Sequence, residues 1–334
     1  MKKLTILSLL FVFSYSLYGQ SPKDKGLNAI TERVAQAQIE FLAHDELQGR
    51  EAGFHGARIA REYLKSRLKE MDIQPFFEDG YTQHFQGYRV HFQSKGRWQV
   101  HPDSIELIKQ DTHLCRDHYN VLGCIPGERT DEYVIIGGHY DHLGIHEDTA
   151  GDDKIYNGAD DNASGVSAVL QIAKAFLESG KKPYRTLVFA FWDAEETSII
   201  GSQYFMQEFK DPSQIKAYIN FDMIGCNHPR KDPNHMMLFY SDSHPEFEQW
   251  LNRDIKAYKL DLDPRFRASD KLFGGSDHGW FARKGVPVMY YHSDAYTNYH
   301  RPGDEVQHLN WSKIVDITKA AYLATWELVN DKKL

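Results

Sequence analysis

From about residue 120 onward the chain alternates short apolar runs with segments of helical periodicity, and this alternation restricts the possible folds more than any other feature. The runs at 133–137 and 185–192 are almost wholly apolar, which is typical of strands buried on both faces. Strands that alternate with helices form a mostly parallel sheet covered by helices on both sides. The sequence therefore predicts a three-layer α/β/α architecture with a mostly parallel central sheet.

Further elements follow from the same patterns. Strands are predicted at 133–137, 185–192, 217–221, 236–240 and 286–291. Helices are predicted at 28–42, 57–71, 164–177, 201–209, 246–258 and 311–328. The stretch 76–116 alternates weakly, as short strands or loops do. No internal repeat or low-complexity linker interrupts the chain.

Acidic and histidine side chains directly follow several of these strands. In open α/β sheets, binding sites form beyond the carboxyl ends of the strands. His139 follows the first strand and could bind zinc, while Asp141 could hold its other ring nitrogen. Glu195 and Glu196 follow a buried strand, where a carboxylate is costly unless it is paired or metal-bound. One glutamate could bind a metal while its neighbour acts as a general base.

Five segments, in this order, resemble the M28 family of zinc aminopeptidases, and the resemblance runs from about residue 120 to the C-terminus. The segments are Gly137-Gly-His-Tyr-Asp-His142, Asn157-Gly-Ala-Asp-Asp-Asn-Ala-Ser-Gly165, Trp192-Asp-Ala-Glu-Glu196, Asn220-Phe-Asp-Met-Ile-Gly225 and Tyr299-His-Arg-Pro-Gly-Asp304. Two N-terminal stretches, Leu47-Gln-Gly-Arg50 and Tyr81-Thr-Gln-His-Phe85, also resemble that family. Helix capping is the alternative explanation for the acids in the second segment.

The resemblance implies a zinc-dependent exopeptidase-like (phosphorylase/hydrolase-like) fold and a metallo-exopeptidase of the aminopeptidase type. Its substrates would be peptides with a free N-terminus, and each chain would hold two Zn²⁺ ions. The implied metal ligands are His139, Asp161, Glu196, Asp222 and His300. Asp161 would be shared, with His139 and Asp222 on one zinc and Glu196 and His300 on the other. Glu195 would be the general base of a water molecule activated by two metals.

Several residues have weaker assignments. Asp277 and His278 could line the pocket or support the ligands, and loop stabilisation is the equal alternative. Tyr291 could shape the pocket, although most such tyrosines only pack. The other histidines, His142 among them, are expected to be surface or core residues. Ser198 and Glu305 stand where relatives commonly have glycine and threonine, and both departures make the substrate preference less certain.

Three other functions remain open. A glutaminyl cyclase, a transferase with a single zinc on the same fold, is disfavoured by the segments around Asp161 and His300. A carboxypeptidase of the same superfamily would need a basic pocket for a C-terminal carboxylate, which the sequence does not locate. A metal-binding protein without catalysis would have no use for Glu195 beside a ligand.

The composition and the N-terminal sequence limit the partners and the location that the protein can have. The net charge of -8 argues against a nucleic-acid partner. Lys2 and Lys3 precede an apolar run at 4–17, which predicts a signal peptide over residues 1–20 and export to the periplasm or the medium. The run is shorter than the about 20 residues that span a bilayer, so stable membrane insertion is not expected. Residues 21–334 are predicted to form a single peptidase domain with its N-terminal helices packed on it and no inserted lid domain.

Three cysteines occur, and in an exported protein Cys115 and Cys124 could form a disulfide. Their spacing matches no zinc-ribbon or redox motif. The sequence leaves open this disulfide, the oligomeric state, the preferred N-terminal residue and the physiological metal.

Overall fold

The computed structural model describes residues 20–89, 98–100, 115–271, 275–294 and 296–333. The signal peptide predicted for residues 1–20 lies outside this range except for Gln20. Within the described part of the chain, no helix combines the length and the apolar character that crossing a bilayer requires.

Twelve strands are described. They are β1 Gln74–Pro75, β2 Thr82–Arg89, β3 Trp98–Gln99, β4 Cys115–Ile125, β5 Arg129–His139, β6 Gly144–Ile145, β7 Ile155–Tyr156, β8 Arg185–Trp192, β9 Ile215–Phe221, β10 His235–Tyr240, β11 Asp263–Ala268 and β12 Val288–His292.

The described α-helices are α1 Pro22–Leu27, α2 Glu32–Leu42, α3 His55–Glu70, α4 Gly165–Ser179, α5 Ile200–Glu208, α6 Glu246–Tyr258, α7 His278–Ala282 and α8 Trp311–Asn330. Short 3-10 turns lie at Asp45–Arg50, Pro212–Gln214 and Val306–His308. A π-type turn at Ala159–Ser164 leads directly into α4.

The main sheet has the strand order β11-β10-β12-β9-β5-β8-β4-β2-β3, with β1 paired to β4. The four central strands, β12, β9, β5 and β8, run parallel. Antiparallel pairings flank them, β10 on one side and β4 on the other. The sheet is thus mixed with a parallel centre, which confirms the predicted architecture.

Alternate side chains of the central strands supply two hydrophobic cores, one on each face of the sheet. In β5, Val134 and Ile136 join the core under α2, α4 and α8, while Ile135 joins the opposite core with Phe205 and Phe281. Helices therefore cover both faces of the sheet.

The N-terminal helices pack on this framework. The Tyr322 hydroxyl of α8 donates to the carbonyl of Lys23 at 3.0 Å. The Thr31 amide donates to Gln171 Oε1 of α4 at 2.9 Å. Thr31 has extended backbone, so the helix predicted from residue 28 instead begins at Glu32, after the separate helix α1.

Two of the longer strands, β4 and β11, were not predicted as such. β4 begins with Cys115, Arg116 and Asp117, of which none is fully buried, so no apolar run marks its start. β11 lies at the edge of the sheet and is largely polar and exposed. Edge strands need no continuous hydrophobic sequence because only part of their surface is covered.

None of the three cysteines forms a disulfide. Cys115 and Cys124 lie at opposite ends of β4, nine residues and about 30 Å apart along an extended strand. A disulfide needs Cα atoms about 4.4–6.8 Å apart. The open question of this disulfide is therefore answered in the negative.

Candidate metal centre

The parallel centre of the sheet brings several predicted ligands to one edge. His139 is the last residue of β5 and pairs in register with Trp192 at the end of β8. Asp222 follows directly on β9, the other neighbour of β5. Because parallel strands end at the same edge, residues far apart in sequence meet there.

The other four predicted ligands converge around Asp161. His139 Nε2 lies 3.3 Å from Asp161 Oδ1 and 3.4 Å from Asp222 Oδ1. His300 Nε2 lies 3.2 Å from Asp161 Oδ2 and 3.3 Å from Glu196 Oε2. One oxygen of Asp161 therefore faces His139, which contacts Asp222, and the other faces His300, which contacts Glu196. A carboxylate that bridges two cations needs this arrangement.

These separations fit zinc. Ligand atoms about 2.0–2.1 Å from a tetrahedral zinc are about 3.3–3.4 Å from one another. The four distances given above lie within about 0.1 Å of that spacing, and two of them involve Asp161. Imidazole nitrogens and carboxylate oxygens are also common ligand types for this ion.

The charge balance of the centre also favours cations. Burial raises the pKa of Glu195 well above its usual range, and the carboxylates of Asp222 and Glu196 raise it further although His139 opposes them. Burial acts in the same direction on Asp161, but neighbouring imidazoles hold the pKa of that carboxyl well below its usual range. Divalent ions would offset the repulsion among these buried carboxylates.

His142 belongs to the centre, whereas the sequence placed it among surface or core histidines. Its side chain is buried, and Nδ1 lies 2.7 Å from Glu196 Oε1. His142, Asp161 and Glu196 also form one of the groups that could hold an ion. A separation of 2.7 Å is that of a charge-assisted hydrogen bond and is too short for two ligands of one tetrahedral zinc. This geometry favours His142 as a donor that orients Glu196, and His300 stays the predicted ligand.

Replacing His142 by alanine should weaken zinc binding about 10–100-fold, the usual effect of losing a group that orients a metal ligand. His142→Asn should retain more affinity, because its amide can donate from nearly the same place as Nδ1. The measurement is zinc affinity by chelator competition. His146→Ala is the matched control, since His146 is exposed and lies four residues away. Equal zinc affinity in His142→Ala and the control would contradict the assignment.

Asp141 organises the loop that carries both glutamates. Its carboxylate accepts the backbone N–H groups of Glu195 at 3.0 Å and Glu196 at 3.3 Å. His139 Nδ1 lies 3.1 Å from the backbone carbonyl of Asp141 but 3.7 Å from its carboxylate. The main chain of Asp141 thus makes the predicted contact with the other ring nitrogen of His139, while its side chain holds the main chain of the two glutamates.

Asp160 and Asp304 position the bridging residue and its surroundings. The Asp304 carboxylate accepts the N–H groups of Asp160 and Asp161, both at 2.9 Å. Asp160 in turn accepts the N–H groups of Gly225 and Cys226, at 2.6 and 2.8 Å. Neither Asp160 nor Asp161 caps α4. Helix capping therefore does not explain these two adjacent aspartates.

Arg50, at the end of the 3-10 turn Asp45–Arg50, is a buried cation that connects three other parts of the chain. Its guanidinium donates to the carbonyls of Tyr140 at 2.9 Å, Asn157 at 2.6 Å and Gly158 at 3.0 Å, and also to that of Leu42. The first three carbonyls belong to the segments that contain His139 and Asp161. We call these four contacts the Arg50 clamp.

The weaker assignments have mixed outcomes. Tyr291 is fully buried in the core and stacks on Phe221 with ring centroids 5.6 Å apart, so its predicted role in the pocket is wrong. Asp277 and His278 are buried as well. The cavity beside the centre is lined instead by their neighbours Ser276 and Gly279.

The two residues that depart from the family pattern, Ser198 and Glu305, each have a distinct structural feature. Ser198 has a φ of 88°, in the left-handed region that favours glycine. Glu305 Oε1 accepts the side-chain amide of Asn157 at 2.8 Å. Tyr299, which the sequence did not single out, stacks on His300 with ring centroids 3.8 Å apart.

Comparison with known proteins provides an independent line of evidence. The sequence model of Peptidase family M28 matches residues 120–325. Leupeptin-inactivating enzyme 1 of Streptomyces exfoliatus is 33% identical over 172 residues, 51% of this chain and 34% of that enzyme. A glutamate carboxypeptidase 2 homolog of Caenorhabditis briggsae is 31% identical over 206 residues, 54% of this chain and 24% of that protein. The chain thus spans about a third or less of these two relatives' own length.

A zinc aminopeptidase from Bacillus subtilis has a similar structure, with a TM-score of 0.67 and 13% identity. The match covers 91% of this chain and 97% of that one. At this identity the likeness concerns the fold alone.

Proposed function

The chain belongs to peptidase family M28, and from that premise we propose that it is an aminopeptidase with two zinc ions that releases N-terminal residues from peptides. The observation that carries the proposal is the position of Asp161. Its two oxygens lie 3.3 and 3.2 Å from two different imidazoles, those of His139 and His300. A centre for one ion would not need both.

In this proposal His139, Asp222 and Asp161 would hold one zinc, and His300, Glu196 and Asp161 would hold the other. When bound, zinc supplies Lewis-acid activation of the attacking water and of the scissile carbonyl. The chain's own residues transfer the proton and hold the catalytic groups in position.

Glu195 takes the proton from the water and delivers it to the leaving amine. Burial among other carboxylates raises the pKa of Glu195 above its usual range, which is the direction in which a carboxylate becomes a better proton acceptor. Glu195 also lines the cavity, so substrate can reach it. Asp141 holds the Glu195 main chain in place through the hydrogen bond to its N–H group.

A carboxypeptidase is the second candidate. The Caenorhabditis briggsae relative is among those that carry that name, and the cavity beside Glu195 is lined in part by an arginine, Arg283. An arginine is the residue type that would bind a substrate carboxylate. The two activities differ in which end of the peptide must be free.

Leucyl-4-nitroanilide and its N-acetyl form separate the candidates. The purified protein should hydrolyse only the anilide whose amine is free, lose nearly all of that activity with a zinc chelator, and regain it with added zinc. Preference for an N-acetyl dipeptide with a free C-terminus would instead identify a carboxypeptidase. Cyclisation of an N-terminal glutamine without hydrolysis would identify a glutaminyl cyclase.

A further inference from the structure

A cavity of about 670 Å³ opens beside the metal centre, within the usual size range of small-ligand sites. Its lining includes three charged residues among those that the structure describes. Two of them, Glu195 and Glu196, belong to the centre, and the third is Arg283. The cavity therefore carries both signs of charge.

Arg283 is held in place by an aromatic ring. Its guanidinium carbon lies 4.5 Å from the centroid of Trp280, and the Trp280 indole N–H donates to the carbonyl of Ile199 at 3.0 Å. Ile199 follows Glu196 by three residues, so the arginine is anchored to the loop that carries the glutamates. A guanidinium stacked on a fixed ring loses less freedom when it binds a ligand.

The charge of Arg283 is available to a ligand. The residue is exposed, and its guanidinium forms no ion pair with Glu195, Glu196 or any other carboxylate of the described residues. Buried carboxylates dominate the centre itself, so the arginine provides the positive charge on the cavity wall.

We propose that Arg283 binds a carboxylate of the peptide substrate, and that the enzyme prefers short peptides with a free C-terminus or peptides with an acidic residue near the cleaved bond. The proposal rests on the proposed peptidase function. A short peptide is a zwitterion, and a cavity with acids near the zinc ligands and a guanidinium elsewhere on its wall complements both ends. The planar fork of arginine matches a carboxylate with two parallel hydrogen bonds.

The test uses zinc-loaded full-length enzyme and two matched pairs of substrates. The first pair, Leu-Gly and Leu-Gly-amide, differs in the α-carboxylate. The second pair, Leu-Glu-amide and Leu-Gln-amide, differs in a side-chain carboxylate. In the unchanged enzyme we expect kcat/KM to favour the carboxylate member of at least one pair.

In Arg283→Gln this preference should fall about tenfold, mainly through KM, since a charge-assisted hydrogen bond at a solvent-accessible site is lost. Arg283→Lys should keep part of the preference. Lys284→Gln is the control, because it removes the same charge at the next residue, which lines a different cavity. The control should keep the full preference.

A change confined to the first pair identifies the α-carboxylate as the ligand, and one confined to the second pair identifies the side chain. If Arg283→Gln leaves both preferences unchanged while peptides are still hydrolysed, the inference is wrong and the proposed function stands. If the unchanged enzyme hydrolyses none of the four peptides, the proposed function itself fails, and the inference falls with it.

Discussion

Glu195→Ala should lower kcat by about 10²–10⁴-fold while zinc content stays at the level of the unchanged protein. The substitution removes the proposed proton carrier but no assigned ligand. The loop should keep its shape, since Asp141 contacts the main chain of residue 195 rather than its side chain. Turnover of an aminoacyl anilide and zinc per chain, measured on the same preparation, check the prediction.

Glu178→Ala provides a matched control for this variant, because Glu178 is an exposed glutamate on α4. It should change neither quantity. Full activity in Glu195→Ala would refute the assignment as general base. A loss of zinc from that variant would show instead that Glu195 is a ligand. This outcome is a real alternative because Glu195 lies near His139 and Glu196.

Asp161→Ala should lose zinc from both positions and with it all measurable hydrolysis. The two oxygens of Asp161 face different imidazoles, Oδ1 that of His139 and Oδ2 that of His300. Its removal deletes a ligand from each position at once, which should exceed the about 10–100-fold loss in affinity that follows removal of an orienting group. Zinc per chain after dialysis at fixed free zinc is the measurement.

Asp152→Ala is the comparison for Asp161→Ala, since Asp152 is an exposed aspartate nearby in sequence. It should retain all zinc. Unchanged zinc content in Asp161→Ala would count against a shared ligand. Loss of one ion with the other retained would show that Asp161 serves a single position.

The sequence predicted the centre well where its geometry follows from the sheet. His139 and Asp222 end neighbouring parallel strands, so their meeting is a consequence of strand order and of the buried apolar runs before them. Asp161 and His300 lie on loops, and only the family resemblance pointed to them. The structure brings all four together, while their roles as ligands stay predictions until zinc is measured.

The contacts that the sequence did not reveal depend on long-range geometry. Arg50 and Asn157 are 107 residues apart in the chain, and no local periodicity encodes that contact. His142 is one residue beyond Asp141, and whether it points toward Glu196 or toward solvent depends on the path of the following loop. The prediction that Tyr291 shapes the pocket was wrong, because side chains alternate along β12 and that of Tyr291 points into the core.

The Arg50 clamp has a consequence for how the protein can be made. During translation the arginine leaves the ribosome about a hundred residues before the carbonyls of Tyr140, Asn157 and Gly158 exist. A guanidinium is too costly to bury without acceptors, so Arg50 should reach its buried position only after those carbonyls have been made. A shortened gene product restricted to 120–325, the span of the family match, would lack the clamp and leave those carbonyls without their donor.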